Sequence, residues 1–324
     1  MMREMTTQGR IAYFGKIPSR NDFIKAADDV ALMGVLDDWM AQVMAALPSD
    51  PRWKLRYDAL APVQFAFVGP RRKHAIAGHI VASSDHAGRR FPFLMMRTLE
   101  LADPAAFLPL CPMMFAPLWA RMAGICCEVL AAPEPAGALQ AIPETVVGLD
   151  DASVASLAAF EAQGTVSSLG ALLGMDDLRR MLLALGMVLQ PVMASGSADL
   201  DKALVLPLPA LVSARAAVAA YWLGLVAPFL GRADFELALF FTELEQRPVM
   251  VVGFRGASAH TLHGIIDPQV GQEQQVSFDD TSWVDDQLDV DVDVRRLASY
   301  LDQPELPLAF ARELFLQTFV GDAS

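Results

Sequence analysis

The stretch Arg90–Leu99 constrains the fold most. It reads as a strand with both alternating sets apolar: Phe91, Phe93 and Met95 on one side, Pro92, Leu94 and Met96 on the other. Such a strand must be covered on both faces, which places it inside a sheet with helices packed against it. Ala75–Ser83 is its antiparallel partner, across the tight segment Ser84-Asp85-His86-Ala87-Gly88. An amphipathic helix supplies one cover. Leu32, Leu36, Trp39, Met40, Val43, Met44 and Leu47 form a single stripe at helical spacing. Asp28 and Asp29 suit its N-terminal dipole, Asp37 and Asp38 fall on its wet face, and Pro48 stops it.

Other elements follow from similar patterns. Arg10–Ile17 and Pro62–Val68 read as strands, and from Pro104 to about Gly231 the chain reads as helical. Leu178, Met181, Leu182, Leu185 and Leu189 make a second stripe, ended by Pro191. Ala132–Gly137 and Ala194–Asp201 read as linkers or loops. Phe235–Leu244 and Pro248–Phe254 are strands joined by Glu245-Gln246-Arg247, followed by a short helix at Ser258–Ile266. The tail closes with a helix opened by Pro307, with Leu308, Ala311, Phe315 and Phe319 on one face.

A chain of 324 residues has room for about two domains. With 54% hydrophobic and 19% charged residues it can bury a large core, and global disorder is excluded. A net charge of −13 argues against a nucleic-acid partner, since phosphate neutralisation needs clustered Lys and Arg. Much of the acidity is local: Asp279, Asp280, Asp285, Asp286, Asp289, Asp291 and Asp293. Cys111 and the adjacent pair Cys126 and Cys127 suit reduced, buried thiols, hence a cytoplasmic setting. The N-terminal MMREMTTQGR has no apolar core for a signal peptide. Uncharged runs at Pro104–Ala120, Met181–Ala198 and Ala216–Gly231 are read as core rather than membrane insertions.

Three near-motifs fail on spacing or residue type. Gly9 to Ile17 superficially resembles a phosphate loop, but its glycines are separated by five residues instead of four, and Ile17 stands where Ser or Thr must bind magnesium. Asp289-Val290-Asp291-Val292-Asp293 lacks the Gly and Glu of a calcium loop, with Val294 and Tyr300 in their places. Its alternation reads as an edge strand with the valines inward. His260-Thr261-Leu262-His263 lacks a further ligand at metal spacing. Neither catalysis, nor a cofactor, nor a metal is expected.

Two segments set charged residues among strongly apolar ones: Tyr13 to Phe23, and Ser83 to Phe93. Asp85 can accept backbone hydrogen bonds inside its turn, Gly88 can take a positive φ, Asp22 can cap a following turn, and Arg89 can pair with either carboxylate. Both segments together resemble the TagF (ImpM) family. Gly15, Lys16, Pro18, Asp22 and Phe23 match its first pattern, with Ile17 and Asn21 as departures. Ser83, Asp85, Gly88, Arg89, Phe91 and Pro92 match its second.

The resemblance implies a type VI secretion accessory protein, a post-translational repressor that binds a forkhead-associated-domain scaffold, Fha. It also implies an α+β fold: a longin-like antiparallel sheet with helices over residues 1–130, then a helix-rich unit over 131–324. That second unit would hold a small sheet near 235–254, while residues 269–324 read as an acidic extension for which the family gives no expectation. Relatives with a fused phosphatase domain exist, but this chain lacks an Asp-Gly-x-x-Gly metal motif. A structural subunit of the machine and a hydrolase or phosphatase with a dispersed site are the alternatives. Lys16, Asp22, Phe23, Ser83, Asp85, Gly88, Arg89 and Phe91 are expected close together, as a partner-binding or loop-holding network.

Overall fold

The computed structural model describes residues 11–27, 29–142, 153–195, 201–231, 234–288 and 290–321. Gly9, Arg10, Asp28, Asp289 and most of the expected loop at 194–201 lie outside these residues.

In chain order the first elements are β1 (Ala12–Gly15), β2 (Ile24–Ala26), α1 (Val30–Ala46), α2 (Trp53–Asp58), β3 (Val63–Val68), β4 (His74–Val81) and β5 (Phe93–Glu100). The helical stretch holds α3 (Pro104–Ala131), α4 (Ala136–Ala141), α5 (Ser153–Gln163), α6 (Val166–Leu173) and α7 (Leu178–Ser195). After it come β6 (Ala203–Pro207), α8 (Val212–Val226), β7 (Leu237–Leu244), β8 (Arg247–Gly253) and α9 (Ala259–Ile266). The chain ends with α10 (Pro268–Gln274), β9 (Gln275–Val276), α11 (Val284–Leu288), α12 (Val292–Leu301) and α13 (Leu308–Phe319).

The strands form one sheet in the order β2-β1-β5-β4-β3-β7-β8-β6-β9. Every pairing is antiparallel except β6 with β9, so the fold is α+β. The strands expected to make a small separate sheet near 235–254 instead extend the first one, because β7 pairs along the outer edge of β3 with Gln64 opposite Phe241. A single sheet therefore crosses the expected boundary at residue 130, which itself falls at the end of α3.

Alternation along the strands divides the core in two. On one face Phe14, Phe65, Phe67, Leu94, Met96, Phe240 and Val251 pack with α1 and α9. On the other, Ala66, Met95, Phe93, Leu239, Phe241 and Val252 pack with α3, α7, α8 and α13. Phe91 does not follow Phe93: the strand begins only after Pro92, and Phe91 turns toward Phe14 on the α1 face.

Helix α1 opens as expected, with the Asp29 carboxylate accepting from the Leu32 N–H at 2.9 Å. It buries Met33, Leu36, Trp39, Met40 and Val43. Pro191 does not end its helix; α7 runs on to Ser195 with the proline inside it. α13 buries the four expected side chains. The Asp-Val segment is not a strand. Asp291 caps α12 by accepting from Asp293 and Val294 N–H, and Val290 and Val292 face solvent. Cys111 and Cys126 are buried but Cys127 is exposed, since successive helical residues point about 100° apart. Burial, and secondarily the neighbouring Cys127, pushes the Cys126 thiol up to about 12.

Among the described residues, three helical segments are long and apolar enough to cross a membrane: Val30–Ser49, Pro104–Ala131 and Val212–Leu230. Two overlap the uncharged runs read from sequence, and each buries part of its surface in the two clusters above.

His79 lies in β4, 2% exposed, with no hydrogen-bond partner for Nδ1 among the described residues. Burial pulls its pKa down to about 4. The folded value is below the unfolded one, so the contribution of the neutral ring is complete above pH 6.5 and is lost as pH falls toward 4. That loss amounts to about 3 kcal/mol by linkage. Urea unfolding at several pH values should show His79→Gln losing correspondingly less stability than wild type across this window. An unchanged slope would refute the assignment.

Candidate functional site

β1 and β5 are antiparallel neighbours, Gly15 opposite Phe93, so the loop leaving β1 and the loop entering β5 meet at one end of the sheet. The first loop tightens where the Arg20 N–H donates to the Ile17 carbonyl at 3.1 Å, then returns as β2 with Ile24 opposite Gly15. In the second, Asp85 N–H donates to the Arg89 carbonyl and Gly88 N–H to the Asp85 carbonyl. Gly88 sits at φ +76°, as its turn position demands. Two bonds tie the loops together: His86 N–H donates to the Arg20 carbonyl at 2.8 Å, and the Arg89 guanidinium donates to the Asn21 carbonyl.

Asp85 is the hub, its side chain fully buried. Oδ1 accepts from the N–H groups of Ala87 and Arg89 at 3.1 and 2.9 Å. Oδ2 takes the Arg89 Nε–H at 2.7 Å and the Lys16 ammonium at 3.0 Å. Burial alone would push this carboxyl up. The Arg89 N–H, the Lys16 ammonium and the Arg89 guanidinium outweigh it and hold the pKa at about 2. Its stabilising contribution is therefore present above pH 3.8 and is lost as pH falls to about 2. At neutral pH such a carboxylate is a poor proton acceptor, so the group suits fastening rather than proton transfer.

Lys16 is also buried, its ammonium 4.9 Å from the centre of the Phe23 ring. Phe23 stacks on Phe14 at 5.3 Å and meets Phe91 edge-on at 4.8 Å, yet remains 43% exposed. The Lys16 ammonium thus lies between a carboxylate and an aromatic ring that is itself partly exposed.

The expected network is only partly one cluster. Lys16, Phe23, Asp85, Gly88, Arg89 and Phe91 come together. Asp22 is exposed and accepts only from its neighbour's Phe23 N–H at 2.8 Å, making no ion pair among the described residues. Ser83 is fixed through its backbone: its N–H donates to the Tyr57 hydroxyl, which donates back to the Ser83 carbonyl, both at 3.0 Å. Sequence reasoning missed Tyr57 and the bidentate pair of Arg90 with Asp58, at 2.7 and 2.6 Å. Tyr57 and Asp58 lie on α2, a six-residue helix too short to leave a periodic signature.

Residues 12–145 match the family model of the TagF N-terminal domain, described as type VI secretion system-associated. The family read from the two loops and the family matched are the same, and the match spans both loops. The matched part is thus similar to a domain described as type VI secretion system-associated. A crystal structure of PA0076 from Pseudomonas aeruginosa PAO1 is similar at 21% identity, with a TM-score of 0.36, over 43% of this chain and 64% of that one. The chain thus spans less than two thirds of that protein's length. Comparison with curated proteins finds no match.

Proposed function

We propose that this chain, carrying a TagF-type N-terminal domain over residues 12–145, is a cytoplasmic binding regulator of type VI secretion. In this reading it represses the system after translation by holding an Fha-type scaffold, as the TagF resemblance implies, and it acts by contact rather than catalysis. The contact surface is the pair of loops at residues 17–23 and 84–91.

One observation carries the reading. Two loops are fastened by a buried carboxylate with four donors, and the fastening presents Phe23, 43% exposed, beside an Arg89 side chain 62% exposed. An aromatic group and an arginine on a pre-ordered base are the residue types that dominate binding energy, and loops on a rigid sheet are the usual place for them.

Phe23→Ala should weaken capture of the scaffold by about 2 kcal/mol, near thirty-fold, as truncation of a hot-spot aromatic does. Its melting temperature should fall less than that of Asp85→Ala, because the ring is partly exposed and the Asp85 fastening is untouched. Asp85→Ala should lower both binding and melting temperature, since it leaves the Lys16 ammonium buried without its carboxylate. Titration of purified scaffold against each variant decides the matter. Wild-type affinity in Phe23→Ala together with Arg89→Ala would remove this face from the reading.

A further inference from the structure

We propose that the cleft between the start of β6, the end of β8 and the first turn of α9 binds the phosphate group of a small soluble molecule. Strand pairing assembles it. Leu204 lies opposite Val252, so the residue entering β6, Lys202, sits beside the end of β8, where Arg255 follows Gly253. β9 runs parallel to β6 with Gln275 opposite Ala203, which brings Gln274 to the same end. The chain then turns through Gly256 and starts α9 at Ala259. A Cβ on Gly253 would lie 2.9 Å from the Thr261 hydroxyl oxygen, so the helix begins directly over the strand end.

The result is a cavity of about 350 Å³ lined by Lys202, Arg255, Ser258, His260, Thr261 and Gln274, among others. Two cationic side chains, an imidazole, two hydroxyls and an amide supply hydrogen-bond donors to one small space. The first-turn N–H groups of α9 add to them, because the Ser258 side chain makes no capping bond and leaves those amides without a side-chain acceptor. Lys202 and Arg255 bring two positive charges to this cleft, against the Asp201 carboxylate that also lines it. Phosphate oxygens are the group that uses guanidinium, ammonium and helix-start N–H donors together.

The Asp201 carboxylate lines the same cavity and competes. The Arg255 guanidinium pairs with the Asp201 carboxylate, but both groups are more than half exposed, 53% and 79%. Exposed pairs of this kind contribute little. A phosphate entering the cavity would draw the guanidinium from Asp201 and gain a charge-assisted bond in exchange. Asp201 therefore acts as a counter-ion that the ligand displaces, and its removal should favour binding. A loss of structure could not produce that result.

Calorimetric titration with inorganic pyrophosphate at low ionic strength, against acetate at matched ionic strength, tests the site. Saturable binding of pyrophosphate and none of acetate is expected. Lys202→Ala and His260→Ala should each weaken it about ten-fold, and Asp201→Asn should tighten it about three-fold, as expected for one charge or donor near the ligand. No saturation by about 10 mM, well beyond the affinity that several charge-assisted contacts would give, would overturn the proposal. So would binding that all three substitutions leave unchanged. Retention of the protein on phosphatidylglycerol vesicles that Lys202→Ala abolishes, without pyrophosphate binding, would assign the cleft to a lipid headgroup and sink the soluble ligand.

Discussion

Trp39→Ala should cost about 3–5 kcal/mol in denaturant unfolding, the range for truncating a buried aromatic. Trp39 is 3% exposed in the middle of α1 and is the piece that locks this helix onto the sheet. Its ring packs against Phe67 at 5.2 Å, Phe65 at 5.8 Å and Phe240 at 6.2 Å. Those three partners come from β3 and β7, so one side chain ties α1 to both halves of the chain. The indole N–H has no acceptor among the described residues. Trp39→Phe, which removes that donor and keeps most of the ring, should cost under about 1.5 kcal/mol. Equal losses in the two variants would mean that the N–H, rather than the ring volume, matters there.

Gly15→Ala should be comparably severe. Gly15 adopts φ +133°, where a side chain adds roughly 1–3 kcal/mol of backbone strain. A Cβ there would also lie 2.0 Å from the Pro92 carbonyl oxygen and 2.8 Å from the Phe93 Cα, both backbone atoms that cannot swing aside. Overpacking adds roughly another 1–3 kcal/mol. The damage should reach the loops as well, because Gly15 is the residue that lets β1 approach β5 closely enough for Lys16 to meet Asp85. Scaffold titration and thermal unfolding should therefore fail together in Gly15→Ala. Wild-type stability in this variant would show that the β1–β5 approach is looser than described.

Local signals proved readable wherever a pattern repeated over several residues. The stripes of α1 and α13, the doubly apolar β5 and the β7–β8 hairpin all rest on periodicity within a short window. In that hairpin Glu245 and Gln246 take φ +50° and +63°, the two-residue turn that suits twisted antiparallel strands. The loops around Lys16 and Asp85 were readable because glycine, proline and charge occur there in an unusual order. What stayed hidden depended on distant partners. Nothing near Val63 indicates that β3 pairs with a strand at 237–244, and nothing near Tyr57 indicates that its hydroxyl holds Ser83. The Asp-Val alternation misled because period two is also compatible with exposed residues around a helix cap. Asp22 matched a motif position without joining the network, since exposed side chains are not forced toward a partner.

The pairing of β3 with β7 also bears on how the chain can be made. A ribosome releases residues 63–68 long before 237–244, so the inner half of the sheet must wait with β3 as an open edge. An edge carrying Phe65 and Phe67 in a row of unpaired N–H and C=O groups is a template for joining other chains. Closing it later also requires ordering a very long intervening loop, which slows folding in proteins dominated by distant contacts. A fragment ending at residue 145, where the family match stops, would keep that edge permanently unpaired. Expressed alone it should self-associate, and addition of a separate chain spanning 201–321 should restore its solubility.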